Sequence, residues 1–389
     1  MPKGLKNPGP LESFDQRDSV FSRARLQAGT GLHDDYYARR SENWSDDHRS
    51  RKLNPLASPG TKRYEPEAAL LIQAQFAAAD LIAEAVEGSE NAVSDKMPEG
   101  LAHGNSSNSN NYALKDDSPA ALTAFAKNAA RFLGADDVGV TELNPAHVYS
   151  HRGRPLDKHG DMPKLDHSHA IVLLFSMRSE YVDSAPEMIS TAEVARVYQQ
   201  VAAACFALAD SLRRLGYSTR AHVDSNYLVV CPPLAVDAGL GEIGRHGILI
   251  HPRLGSSVRL GVVTVDAPLV PNSPGNWGIA DFCKTCKKCA KLCPAGAIPE
   301  GETSIQRGAE KWPLKAERCY HYWRTQGSDC GTCMRVCPFS KPNSILHRIV
   351  RGTIARSSIF NRIFLWMDDL LYGRPREPKK VASLDDFGS

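Results

Sequence analysis

The chain has 389 residues, 42% of them hydrophobic, enough to bury a sizeable core in one large domain or two ordinary ones. Its 47 basic and 44 acidic residues leave a net charge of +3, a balance that does not favour nucleic acid or an anionic membrane as partner. No apolar run reaches the ~18–20 residues needed to span a bilayer, and residues 1–8 carry charge with neither an apolar stretch nor a twin-arginine pair behind them, so the expectation is an untargeted, cytoplasmic protein.

In chain order, residues 1–62 are polar and rich in Arg, Asp, Ser and Pro, and read as irregular chain wrapping the surface. Residues 64–87 have helical apolar spacing, with Gly88 as a stop signal. Residues 89–118 contain a Gly/Asn/Ser run at 104–111 and read as a solvated insertion. Ser118-Pro119 supplies an N-cap and a first-turn proline for a helix ending near Leu133. Strand-length apolar runs follow at 138–140 and 170–177, the second continuous enough for the middle of a sheet. A long helix from about Thr191 to Leu215 carries Val194, Val197, Val201, Cys205, Leu208 and Leu212 as an apolar stripe. Further strands are expected near 227–230, 247–250 and 258–265, and two amphipathic helices at 345–350 and 359–371. The class is therefore α+β, with a mixed or antiparallel sheet followed by a small cysteine-rich unit.

Eight of the ten cysteines crowd between residues 283 and 337. Cys283, Cys286, Cys289 and Cys293 with Pro294 form the C-x2-C-x2-C-x3-C-P run of bacterial ferredoxins, and Cys330, Cys333 and Cys337 with Pro338 repeat its second half behind a distant Cys319. Two-residue gaps let three thiolates converge on one iron cubane, while the fourth is carried off to ligate the other cluster. The expected ligand sets are therefore crossed: Cys283, Cys286, Cys289 and Cys337 for one [4Fe-4S] cluster, and Cys293, Cys319, Cys330 and Cys333 for the second. Zinc ribbons pair C-x2-C units some 15–20 residues apart and lack this run. Cys205 and Cys231 stand alone and read as packed thiols.

Gly239, Gly241 and Gly244 match G-x-G-x-x-G, but Cys231-Pro232-Pro233-Leu234 ahead of them is a poor central strand and Arg245–Ile250 behind them reads as a turn into a strand. That excludes a dinucleotide fold and leaves a loop whose backbone, with Arg245, can approach a large flat ligand. His167 and His169 flank a strand without a third ligand and read as surface residues.

Residues 237–270, with Phe282 and the cysteine run after them, resemble the corrinoid- and iron–sulfur-dependent reductive dehalogenases. So do the stretched second motif with Tyr320 and Trp323, the segments 14–23 and 148–154, the helix carrying Tyr198, and Trp366-Met367-Asp368-Asp369 near the end. The resemblance implies a nitroreductase-like cobalamin domain over 119–275, a ferredoxin-like module over 276–342 and a helical tail over 343–389, preceded by an extension over 1–118. It implies that the cluster of Cys293, Cys319, Cys330 and Cys333 lies nearer the cobalt. It also implies Tyr198 as proton donor, assisted by Arg259, with Asp224 or Asn226 in the place of a family asparagine. A phenol that stays protonated at pH 7 suits protonation of a carbanion-like carbon, and a nearby arginine stabilises the tyrosinate left behind.

The expected activity is reductive removal of halide from an organohalide, with electrons from a separate ferredoxin- or flavodoxin-type donor, because neither an export signal nor a fused reductase domain is seen. The alternatives are an epoxyqueuosine-reductase-like enzyme acting on a tRNA base, for which Asp224 would be the proton donor, and a non-catalytic electron carrier or cobalamin-handling protein.

Overall fold

The computed structural model describes residues 8–89, 114–341, 344–373 and 378–379. Most of the expected insertion, including the run at 104–111, lies outside them. The centre is a four-stranded antiparallel sheet in the spatial order Asp137–Glu142, His169–Ser176, Val258–Val265 and Thr219–His222. His169–Ser176 is an inner strand with both faces covered. Ile171, Leu173 and Phe175 join the core beneath helix Met188–Arg214, and Ala170, Val172 and Leu174 join a second core with Val229 and Leu234. That two-sided burial explains why its sequence is a continuous apolar run rather than an alternating one.

The long helix presses closely on the sheet. A Cβ on Gly261 would overlap Cys205 Sγ and Val201 Cγ1, so the strand can pass beneath the helix only with glycine there. Helix Pro119–Phe132 begins as its sequence indicates, with Ser118 Oγ accepting from the Ala121 N–H at 3.3 Å.

Three sequence expectations need correction, and the poor strand at 231–234 proves to be helical. Residues 1–62 are not simply irregular: helices Val20–Arg23, Gly31–Arg39 and Trp44–Arg51 form there, the first two capped by Ser19 and Thr30. They are held by a buried polar network, with Tyr37 donating to Asp47 at 2.7 Å and Arg23 pairing with Asp47 at 3.3 Å, which leaves no apolar periodicity to read. The 227–230 run makes only an isolated bridge between Val148 and Val229, and the fourth strand is instead Thr219–His222, polar in sequence and buried throughout. Residues 231–237 form a short helix with proline at its start. Finally, residues 66–87 of helix Pro66–Ser89 reach a mean hydropathy of 1.4 and are long and apolar enough to cross a membrane by that measure, because many alanines raise the average without an unbroken apolar run. In this fold that helix packs along Met188–Arg214.

Its end is pinned electrostatically. Glu87 accepts from Arg152 at 2.7 and 3.1 Å and from Arg220 at 3.0 Å, and also pairs with Lys158. Burial raises the Glu87 pKa, but these three donors outweigh it and hold the carboxyl far below the usual range. Glu87→Gln should destabilise the chain by about 3–5 kcal/mol, because it removes the carboxylate charge that the buried Arg152 and Arg220 face. A group with a depressed folded pKa contributes stability above its unfolded value of ~4.3, and that contribution is lost as pH falls toward the folded value. The gap in urea midpoint between wild type and variant should therefore be full at pH 7 and shrink below pH ~4.

Candidate functional site

The cysteine module is built from short helices joined by left-handed turns. Helix Ile279–Cys286 carries the first two thiols, Lys287 at φ +54° breaks it, and Cys289 sits on Lys288–Lys291. Helix Ala316–Gln326 brings in Cys319 from a separate direction. Cys330 and Gly331, at φ +36° and +65°, turn the chain into Thr332–Arg335, which carries Cys333.

The thiols fall into two groups. Burial raises Cys283, Cys286 and Cys289, and their neighbours raise them further: Cys337 and Cys286 act on Cys283, and Cys283, Cys337, Cys333 and Cys286 act on Cys289. In the second group burial is again the largest cause, followed by Cys330 and Cys293 on Cys319, and by Cys319, Cys330, Cys293 and Cys337 on Cys333. Cys293 thus stands with the second motif, while Cys337 acts on thiols of both. Cys283, Cys286, Cys289 and Cys337 line one cavity. Among the described residues no group of three or more His, Cys, Asp or Glu side chains is placed to hold a single metal ion. Buried thiols held this high stay protonated without a compensating cation, which bound iron supplies.

The glycine-rich loop does different work from that expected. Side chains at Gly239 and Gly241 would strike the carbonyls of Ser273 and Ile250, and one at Gly244 would strike the Ile250 side chain, so all three make room for the chain itself. Arg245, 1% exposed, donates to the carbonyls of Cys283 (3.1 Å), Pro299 and Gly301 (both 2.8 Å) and stacks over Trp312. It braces the first thiol group and lines the same cavity. His167 bonds Thr264 and Ser218, and His169 bonds Ser168, as polar surface histidines do. Cys205 and Cys231 are buried.

Tyr198 projects from the long helix beside Phe76, and the Arg259 guanidinium lies 5.3 Å from its ring centroid. Arg259 leads strand Val258–Val265, opposite Phe175. It pairs with Asp329 at 3.9 Å and reaches Met334 Sδ at 3.8 Å, two residues that flank Cys330 and Cys333. Asp329 is itself fixed, accepting from Thr191 Oγ1 at 2.6 Å while its N–H donates back at 3.0 Å. Thus the second thiol group, not the first, abuts the Tyr198–Arg259 pair.

Asp224 and Asn226 part company. Asp224 faces Arg154 at 3.6 Å and its charge reaches Tyr198 and Tyr227. Asn226 turns away, accepting from Arg220 at 2.6 Å and donating to the Ala83 carbonyl at 2.8 Å. The structure therefore brings together Tyr198, Arg259 and Asp224, and commits Asn226 to the Glu87 network.

Burial pushes the Tyr198 phenol up to about 12, with Arg259 pulling the other way. Yet Tyr149, Tyr198 and Tyr227 all keep accessible surface. Nε of Arg154 and Nε of Arg259 are buried without hydrogen-bond partners. Arg154, Tyr227, Phe76 and Asp329 escaped the sequence reading; the Asp preceding Cys330 in the stretched motif was the one available signal.

A 4Fe-4S dicluster domain family matches residues 282–341. The chain is 34% identical over 298 residues to a tetrachloroethene reductive dehalogenase of Sulfurospirillum multivorans, covering 68% of this chain and 59% of the relative. It is 32% identical over 284 residues to a tetrachloroethene reductive dehalogenase of Desulfitobacterium hafniense, covering 61% and 51%. Among solved structures, a reductive dehalogenase described as B12-dependent superposes with a TM-score of 0.71 at 25% identity, over 97% of this chain and 49% of that one. An epoxyqueuosine reductase of Aliivibrio fischeri is 29% identical over 178 residues, covering 40% of this chain and 43% of the relative. The chain spans only about half to three-fifths of the dehalogenase relatives it matches.

Proposed function

We propose that this chain, a relative of the reductive dehalogenases, removes halide from an organohalide, using two [4Fe-4S] clusters and a corrinoid held in a nitroreductase-like domain. The ligand sets are Cys283, Cys286, Cys289 and Cys337 for the outer cluster, and Cys293, Cys319, Cys330 and Cys333 for the inner one. The corrinoid, when bound, supplies low-potential cobalt for reductive cleavage of the carbon–halogen bond. Electrons come one at a time from a separate donor of ferredoxin or flavodoxin type.

The chain's own residues do the rest. Tyr198 Oη holds the proton that the dehalogenated carbon takes up. Its pKa of about 12 keeps it a donor at neutral pH. Arg259, over the ring, stabilises the tyrosinate once the proton has left. Thr191 fixes Asp329, and Asp329 holds Arg259 against the inner thiol group. Arg154 and Asp224 pair with each other at 3.6 Å.

One observation carries the reading: a weak acid, a cation and the loop of the inner thiol group meet at one point. The tRNA-base alternative has less support, since its match covers the smaller share of the chain. The test is halide release. Protein reconstituted anaerobically with iron, sulfide and cobalamin should liberate halide from haloaromatic or haloalkene substrates when given a strong reductant. A panel of both classes yielding none, from protein shown to hold both cofactors, would instead mark a carrier.

A further inference from the structure

Two amphipathic helices, Ile345–Ile354 and Asn361–Tyr372, cover the outer thiol group. Their inner faces are accounted for: Val350, Ile354 and Phe364 pack with Phe282 and Phe339, beside Cys283 and Cys337. Their outer faces are not. Ile345, Ile349, Ile359, Ile363, Trp366 and Leu370 are 75, 62, 81, 52, 63 and 69% exposed. Ile363, Trp366 and Leu370 recur at intervals of three and four residues within Asn361–Tyr372, the spacing of one helical face, and Ile359 adds to the patch from the turn just before it. A patch of this kind on a folded chain marks a contact surface.

The charges on these helices sort unequally. Arg348, Arg356 and Arg362 are exposed. The two carboxylates of the segment, Asp368 and Asp369, turn inward onto the buried Lys288. Among the described residues from 344 to 373, no carboxylate is exposed. The net charge of +3 for the whole chain conceals this local asymmetry.

We propose that this face rests on an anionic lipid surface, with both helices lying in the interfacial plane. Aliphatic side chains with a tryptophan on one side and arginines as the only exposed charges form the pattern of such helices. Arginine near an anionic headgroup layer adds attraction. A second copy of the chain fits less well, because self-pairing would set these arginines against one another. A transient electron-transfer partner also fits less well, since such encounters are small and do not need so much apolar area.

The test uses the full, cluster-loaded chain and needs no turnover. Co-sedimentation with phosphatidylglycerol vesicles should show binding that weakens with added salt and is at least about tenfold weaker with phosphatidylcholine vesicles. The Ile363→Ser/Trp366→Ser and Arg348→Glu/Arg362→Glu double variants should each bind phosphatidylglycerol about tenfold less tightly or worse, with cluster absorbance unchanged. No binding, equal binding to both lipids, or unaltered binding by both variants would overturn the proposal. So would sedimentation velocity showing a dimer that the apolar variant dissociates, which would assign the face to a second copy.

Discussion

Replacing Cys293 by serine should remove the inner cluster, although Cys293 stands in the first cysteine motif. Its thiol is grouped with Cys319, Cys330 and Cys333, not with the three cysteines that precede it. Iron should fall from about eight to about four per chain, with the outer cluster's EPR signal retained. Cys289→Ser should give a similar iron count and the opposite spectrum. Reductive turnover should be lost in both, because each breaks the electron path. Uncrossed ligand sets would make the two variants lose the same signal, so anaerobic EPR of the pair decides the matter.

Tyr198→Phe should lower halide release by roughly 10²–10⁴-fold, the usual contribution of a positioned general acid, while iron and corrinoid content stay the same. Phenylalanine keeps the ring over which Arg259 stacks and the contact with Phe76, so the substitution removes the proton and little else. Because the phenol is held at about 12, wild-type activity should show no loss through Tyr198 ionisation across the neutral range. Steady-state rates measured beside corrinoid and iron assays check both statements. Full activity in the variant would take Tyr198 out of the chemistry.

What was legible in the sequence is what local spacing controls. The cysteine runs declare themselves because iron ligation fixes gaps of two and three residues within one loop. The long helix and the strands at 137–142, 169–176 and 258–265 show through as apolar stripes and runs. Contacts between distant segments do not show through. Thr191 and Asp329 lie 138 residues apart, and neither is unusual in its own neighbourhood. Thr219–His222 is a buried strand written in polar letters, because its Arg220 and His222 find partners in Glu87, Asn226 and Thr264.

The glycine-rich loop shows that a motif can have a packing reason. A side chain at Gly239 or Gly241 would strike the carbonyl of Ser273 or Ile250, and one at Gly244 the Ile250 side chain. Likewise, the pattern left Asp224 and Asn226 as equal candidates. The tight turn between them, with Ser225 at φ +68°, sends one toward Arg154 and the other toward Arg220.

The account stands on eight thiols forming two cages, and metal analysis tests that most directly. After anaerobic reconstitution with iron and sulfide, the chain should hold about eight irons and a matching amount of labile sulfide. Its reduced form should give the broadened EPR spectrum of two neighbouring [4Fe-4S] clusters. Stoichiometric zinc, or a single cluster with about four irons, would contradict it.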